Sequence, residues 1–246
     1  MFRLHCRWLS FLQPRTQHFG TDAGSKGKGE CLRNGMGDRK TWDSIYSNNS
    51  YNGLSHFDWF FSYKHLKGFL FSLINEIAPD KYLGPPMLVL DLGCGTSDIG
   101  VGLFRDSHFP LLISCIDNSA PAILAMKKTL VTGTPIRSAH PDSHLEYIQN
   151  DVTHLHGFTS GSASLILDKG TSDSLLRSGE EQAQKMVLEA LRVLKKGGKL
   201  VQFTDEDPDA RLPFLEKLGA QPNVIFHDLG LNNGVMYYAY IVTGQS

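Results

Sequence analysis

The chain has 246 residues with 24 Lys and Arg against 25 Asp and Glu, a formal net charge of −1, so it lacks the basic excess of a polyanion binder. Hydrophobic residues make up 41%, which excludes an intrinsically disordered chain and supplies a substantial core. No uncharged apolar run approaches the roughly 20 residues of a membrane helix, so neither nucleic-acid binding nor membrane insertion is expected.

The first twenty residues, MFRLHCRWLSFLQPRTQHFG, contain Arg3, Arg7 and Arg15 and no Asp or Glu. A helix over 2–12 would put Leu4, Trp8, Phe11 and Leu12 on one face, flanked by Arg3 and Arg7. That is the composition of a mitochondrial transit peptide, so residues 1–20 are expected to direct the chain to the mitochondrial matrix. Residues 20–40 carry six glycines and scattered charge without an apolar period. Residues 21–40 therefore read as a flexible linker, and 41–246 as one folded domain.

Within that domain, apolar runs alternate with helical patterns. Strands are expected at Met87–Asp91, Leu111–Asp117, Leu145–Gln149, Leu165–Asp168, Lys199–Phe203, Asn223–His227 and Val235–Val242. Helical spacing occupies SDIGVGLFRD, SAPAILAMKKTL and GEEQAQKMVLEALRVLKK. In the last, Met186, Val187, Ala190, Leu191 and Leu194 form one stripe, and Gly197-Gly198 is the expected stop. This alternation predicts an α/β fold, a doubly wound, Rossmann-like sheet of seven strands, mostly parallel. The final two strands, joined by DLGLNNG, should form an antiparallel hairpin.

The chemistry concentrates at the carboxyl ends of the strands, where such sheets bind ligands. The run LDLGCGTSD closes the first strand with Asp91 and turns through Gly93 and Gly95, whose missing Cβ atoms let the backbone turn sharply and a ligand lie against it. A dinucleotide site would need a third glycine where Asp98 stands, beside the pyrophosphate. S-adenosylmethionine, cationic and without phosphate, suits the acidic residues better. Asp91 can take its ammonium, Asp117 its ribose hydroxyls and Asp151 its adenine amino group. An Asp at a strand end can equally be a turn former or helix cap, and Asp98 and either Asn118 or Ser119 are expected to cap the helices that follow them.

With D-x-G-x-G followed by Asp117 and Asp151, residues 57–244 resemble the class I, seven-stranded S-adenosylmethionine-dependent methyltransferases. The LDKGTSDSLL segment after strand four, with FDWFFSY at 57–63 and QFTDEDPDARLPFLE at 202–216, resembles the branch of protein-lysine methyltransferases related to those acting on elongation factor 1A. The resemblance implies a lysine amine as acceptor, with citrate synthase as the expected protein partner. Elongation factor 1A or a small-molecule amine is an alternative acceptor, and a non-catalytic binder of S-adenosylmethionine is an alternative role. Amide and adenine methyltransferases carry a proline pair and an aromatic after strand four; D-K-G-T has neither.

On that reading Asp168 orients the amine and helps remove its proton, or instead pairs with Lys169 or caps the following turn. Trp59, within the 57–63 aromatic cluster, is the expected wall of the active site. Asp205, Glu206 and Asp207, with Asp209, could attract a basic acceptor or form a solvated loop. His140, His144, His154 and His156 lack a matching carboxylate or cysteine pattern, so no metal is expected. Cys6, Cys31, Cys94 and Cys115 show no C-x-x-C spacing and read as free thiols.

Overall fold

A computed structural model describes residues 36–47, 60–78, 84–220, 224–232 and 234–245. The proposed transit segment and most of the linker lie outside them. Seven strands form one sheet: β1 Met87–Leu92, β2 Leu111–Asp117, β3 His144–Gln149, β4 Ala163–Lys169, β5 Leu194–Thr204, β6 Val224–Asn232 and β7 Val235–Thr243. Their order is β3-β2-β1-β4-β5-β7-β6, parallel from β3 through β5, with β7 antiparallel to both β5 and β6. The expected doubly wound sheet with a reversed terminal hairpin is thus present.

Strands at the centre of a parallel sheet are covered on both faces, so they need continuous apolar sequence. Accordingly, Met-Leu-Val-Leu-Asp-Leu in β1 and Ala-Ser-Leu-Ile-Leu-Asp-Lys in β4 are almost wholly buried. Helices α2 (Tyr63–Ile77), α3 (Ile99–Asp106) and α4 (Ala120–Thr132) contribute Leu66, Leu70, Leu103 and Ile123 to one core with Val89, Ile113 and Leu165. Opposite it, α6 (Glu180–Val193) and α7 (Pro208–Leu215) pack Met186, Val187, Ala190 and Leu215 on Leu90, Ile116 and Ile166. The alternation of Val89 and Leu90 between the two cores is the period-two signature of the strand.

Three details differ from expectation. Helix α6 stops at Val193, before the Gly197-Gly198 pair, because Leu194 turns extended (φ −65°, ψ 124°), pairs with Ala163 and starts β5. The glycines bend the start of that strand instead, where the Gly197 N–H donates to the Gly244 carbonyl at 3.0 Å. Asp98 makes no side-chain cap on α3; its carboxylate accepts the Tyr63 N–H at 2.8 Å and so holds the start of α2. Ser119 does cap α4, accepting from the Ala122 N–H. Finally, helix α1 (Arg39–Ser47) begins inside the segment read as linker, and α5 (Thr171–Ser178) follows β4 directly.

Candidate active site

The sheet register brings the chemistry-bearing ends together. Asp91 lies beside Cys115, Leu92 beside Asp168, and Asp168 beside Gln202. After β1 the chain turns through Gly93 at φ +67° and Gly95 at φ +50°, both left-handed values that suit glycine. Crowding adds a second requirement. A Cβ on Gly93 would lie 2.1 Å from Thr171 Oγ1, and one on Gly95 would lie 2.4 Å from Tyr46 Oη. The loop is pinned from two sides, since the Cys94 N–H donates to the Ile116 carbonyl at 2.9 Å and Thr171 Oγ1 donates to the Leu92 carbonyl at 2.8 Å.

Asp91, at the end of β1, is buried. Asp117 is also buried, and its two oxygens accept the Gly95 N–H and the Ser119 N–H, each at 2.8 Å. Burial pushes its pKa up, against the opposing pull of those two amides. A carboxylate offers about four acceptor positions, so both oxygens retain capacity for ligand hydroxyls. Asp151, beyond β3, is more open. Its Oδ1 accepts from both the amide and the hydroxyl of Thr153, while the carboxylate stays 55% exposed.

Sequence reasoning missed the contribution of α1. Asp43 accepts a 2.6 Å hydrogen bond from Ser119 Oγ, beside Asp117. Trp42 donates through Nε1 to the Met36 carbonyl at 2.7 Å and to Ser174 Oγ at 3.2 Å, and stacks on Tyr46 with centroids 5.9 Å apart. Helix α1 therefore lies over the glycine loop and joins it to α5. Trp42 and Tyr46 at i and i+4 were the available signal, obscured by the glycine-rich stretch just before them.

Of the two roles expected for Asp168, the structure displays the cap of the following turn. The side chain has no exposed surface. Its Oδ1 accepts the N–H groups of Thr171 at 3.0 Å and Ser172 at 3.1 Å, and its Oδ2 accepts Gln202 Nε2 at 2.7 Å. It is the turn-capping geometry, in which three donors occupy most of the carboxylate's acceptor positions and no surface is left exposed. Burial raises its pKa, opposed by the Ser172 donors, Arg211 and Gln202.

A second residue missed in the sequence is Arg211 of α7, fully buried. Its guanidinium reaches Ser172 Oγ at 3.0 Å, Gln202 Oε1 at 3.5 Å, Thr204 Oγ1 at 3.3 Å, Glu206 Oε2 at 2.5 Å and the Asp173 carboxylate. One cation thus ties β5, the loop after it and α5 together. This settles the geometry of the acidic loop: Glu206 pairs with Arg211, Asp207 caps α7 by accepting the Asp209 N–H at 2.9 Å, and Asp205 is exposed.

Trp59 lies outside the described residues. The next residue, Phe60, adopts φ +62°, unusual for a bulky side chain, with its carbonyl accepting from Asn232 Nδ2 at 3.2 Å. Its ring and that of Phe61 pack against Tyr237 at 5.0 and 5.2 Å between centroids, joining the aromatic segment to the terminal hairpin. Cys94 and Cys115 are free and buried. Among the described residues, no group of His, Cys, Asp or Glu could hold a metal ion, and no helix is long and apolar enough to cross a membrane.

Comparison with known proteins adds the following. A family described as a methyltransferase domain matches residues 90–202. The mitochondrial citrate synthase-lysine N-methyltransferase of Homo sapiens is 38% identical over 214 residues, covering 85% of this chain and 88% of that protein. Its Danio rerio counterpart is 34% identical over 219 residues, covering 86% and 85%. A human eEF1A lysine and N-terminal methyltransferase is 30% identical over 162 residues, 64% of this chain but 20% of that one. Among solved structures, an S-adenosylmethionine-dependent methyltransferase of Methanosarcina mazei superposes with a TM-score of 0.52 at 18% identity, covering 67% of this chain and 95% of that one. The [4+2]-cyclase SpnF does so with a TM-score of 0.54 at 14% identity, covering 90% and 96%.

Proposed function

Because the chain belongs to the class I S-adenosylmethionine-dependent methyltransferases, and to the family of its human and Danio rerio relatives, we propose that it methylates a lysine of citrate synthase in the mitochondrial matrix. The observation that carries this reading is the 38% identity to the human citrate synthase-lysine enzyme across 88% of that protein. The acid-free, Arg-bearing leader independently supports the compartment.

The residues fit the methyl donor. Gly93 and Gly95 present bare backbone in a turn where a side chain would collide, and Asp117 has acceptor positions left for ribose hydroxyls. Asp91, in the proposal, takes the methionine ammonium, and the half-exposed Asp151 takes the adenine amino group. Tyr46 and Trp42 close over the loop from α1. When bound, S-adenosylmethionine supplies an electrophilic methyl group on a sulfonium, so the protein's task is mainly alignment.

The acceptor side must present a neutral amine, although a free lysine side chain, with a pKa near about 10.4, is almost wholly protonated at neutral pH. Desolvation beside aromatic rings lowers that pKa. Trp59, next to Phe60 in the chain, is proposed as that aromatic wall. Asp168 acts as a positioning residue: by capping α5 and holding Gln202, it sets the shape of the acceptor end without touching the amine. Asp205, exposed at the carboxyl end of β5, is the member of the acidic loop best placed to attract a basic substrate surface; Glu206 and Asp207 shape that loop.

Incubating the protein with tritiated S-adenosylmethionine and a mitochondrial extract tests the reading. One labelled band at the mass of citrate synthase, its label mapped to a lysine, is expected. A band of elongation factor 1A mass from a cytosolic extract, with citrate synthase unlabelled, would favour the acceptor named for the more distant relatives. Cofactor binding without any labelled protein would refute a protein acceptor.

A further inference from the structure

At the proposed acceptor end of the site, one buried carboxylate oxygen has no hydrogen-bond partner among the described residues. Asp173 stands in the first turn of α5, immediately beyond β4. Its Oδ1 accepts Thr204 Oγ1 at 2.9 Å and the Arg211 guanidinium. Its Oδ2 is buried and has no hydrogen-bond partner among the described residues. A buried acceptor without a protein donor is unfavourable, and a catalytic or ligand-binding role is one of the physical reasons such a group is kept. Of the neighbouring carboxylates, Asp168 is engaged by three donors and Glu206 by Arg211, while Asp205 is exposed at the surface.

Resting on the lysine-methyltransferase reading, we infer that Asp173 Oδ2 receives the ammonium of the substrate lysine and then takes its proton, while Thr204 and Arg211 hold Oδ1 and fix the carboxyl plane. An N–H bond of the amine breaks and an O–H bond forms on Asp173, leaving the nitrogen lone pair free. Overall, an ammonium and a methyl sulfonium become an N-methylammonium, a neutral thioether and one proton. Asp173 passes that proton to solvent before the next turnover.

The electrostatics agree with the assignment. Burial raises the Asp173 pKa to about 6; Arg211 opposes the rise, and the negative charges of Asp168 and Asp205 add to it. Asp173 is therefore ionised at neutral pH yet more basic than a surface aspartate. Charge around it comes from β4 through Asp168, from α7 through Arg211 and from the loop after β5 through Asp205 and Glu206.

Asp173→Asn is the decisive variant because the amide keeps Oδ1 for Thr204 and Arg211 and replaces only Oδ2. At pH 7.5, methyl transfer to citrate synthase should fall by about 100-fold or more, while the calorimetric Kd for S-adenosylmethionine stays within about threefold of wild type. The wild-type kcat/KM should show an acid limb near pH 6 that the variant lacks. Carbon-13 NMR of the cofactor-free wild type should show a carboxyl titrating near the same pH, absent from the variant.

More than about a third of wild-type turnover with the acid limb intact would overturn the assignment. Should the variant fail to bind cofactor, the wild-type measurements still decide: no acid limb and no carboxyl titrating between about pH 5 and 7 would overturn it. A wild type that binds S-adenosylmethionine but labels no lysine refutes the lysine reading, and this role with it. A wild type that labels lysine beside a fully active Asp173→Asn refutes this role alone.

Discussion

Gly93→Ala tests whether the cofactor loop and the acceptor segment are one mechanical unit. Gly93 has φ +67°, so alanine there costs about 1–2 kcal/mol from backbone conformation alone. Its Cβ would also lie 2.1, 2.6 and 2.8 Å from Thr171 Oγ1, Cγ2 and Cβ. Thr171 cannot simply rotate away, because its hydroxyl donates to the Leu92 carbonyl and its N–H to Asp168. Overpacking adds about 1–3 kcal/mol, for a total of about 2–5 kcal/mol. Gly161→Ala is the control: φ is +68° there, but nothing lies within 4 Å of the new Cβ, so only the backbone cost applies. Urea unfolding of both variants, and of Gly93→Ala in a Thr171→Ala background, separates the contributions. Removing Oγ1 and Cγ2 should relieve much of the clash, giving a coupling energy of about 0.5–3 kcal/mol. Equal costs at Gly93 and Gly161, with no coupling to Thr171, would show that the close approach is not energetically real.

Two further variants probe charge. Arg211→Met leaves Asp173 and Glu206 without their buried cation and should destabilise the protein by about 3–5 kcal/mol at pH 7.5. Because the Asp173 pKa is raised to about 6, the folded state binds its proton more tightly than the unfolded state; that stability is complete below the ordinary carboxylate value and lost as pH rises through about 6. The penalty should therefore shrink at pH 5, and a pH-independent loss in thermal melts would refute the coupling. Asp106 shows the opposite sign, because Arg105, then Lys67 and Tyr63, hold its carboxyl far below the usual range. Its contribution is present above the ordinary carboxylate value and lost as pH falls through the depressed one. Asp106→Asn should cost about 1 kcal/mol at pH 7, discounted for the exposed Arg105 and Lys67 partners. The cost should disappear in strong acid; a constant difference across a pH series of urea midpoints would contradict it.

The parts legible in the sequence were those encoded by local pattern. Continuous Val, Ile and Leu runs identified β1, β2 and β4, since central parallel strands require burial on both faces. Asp91 and Asp117 were visible because each ends such a run beside a glycine turn or helix start. For Asp168 the turn cap was among the expected roles, but its partner Gln202 and the network's Arg211 were not visible, because they become neighbours only when β5 pairs with β4. Helix α1 escaped because its short amphipathic pattern follows a glycine-rich stretch. The end of α6 was misread for a physical reason: Leu194 retains the helical stripe's apolar spacing, but pairing with Ala163 captures it into the sheet.

The D-K-G-T segment also has a mechanical logic that bears on acceptor choice. Gly170 sits at φ +78°, and this left-handed turn swings the chain from β4 into α5 so that the Thr171 and Ser172 amides reach Asp168. Its carboxylate is consumed in making the turn, and Thr171 carries the connection back to the Leu92 carbonyl beneath the glycine loop. A site built this way has no proline pair and aromatic to clasp a planar amide or base, so on the proposed lysine reading the group that meets the substrate nitrogen comes from beyond the turn. Asp173, one residue past Ser172 and with Oδ2 still without a hydrogen-bond partner among the described residues, is the carboxylate to which the proposal assigns that position. The sheet itself does not select the reaction, since a [4+2]-cyclase shares it at a TM-score of 0.54. In the proposed function, selection for an amine falls to these few residues after β4 and to the buried arginine that holds them.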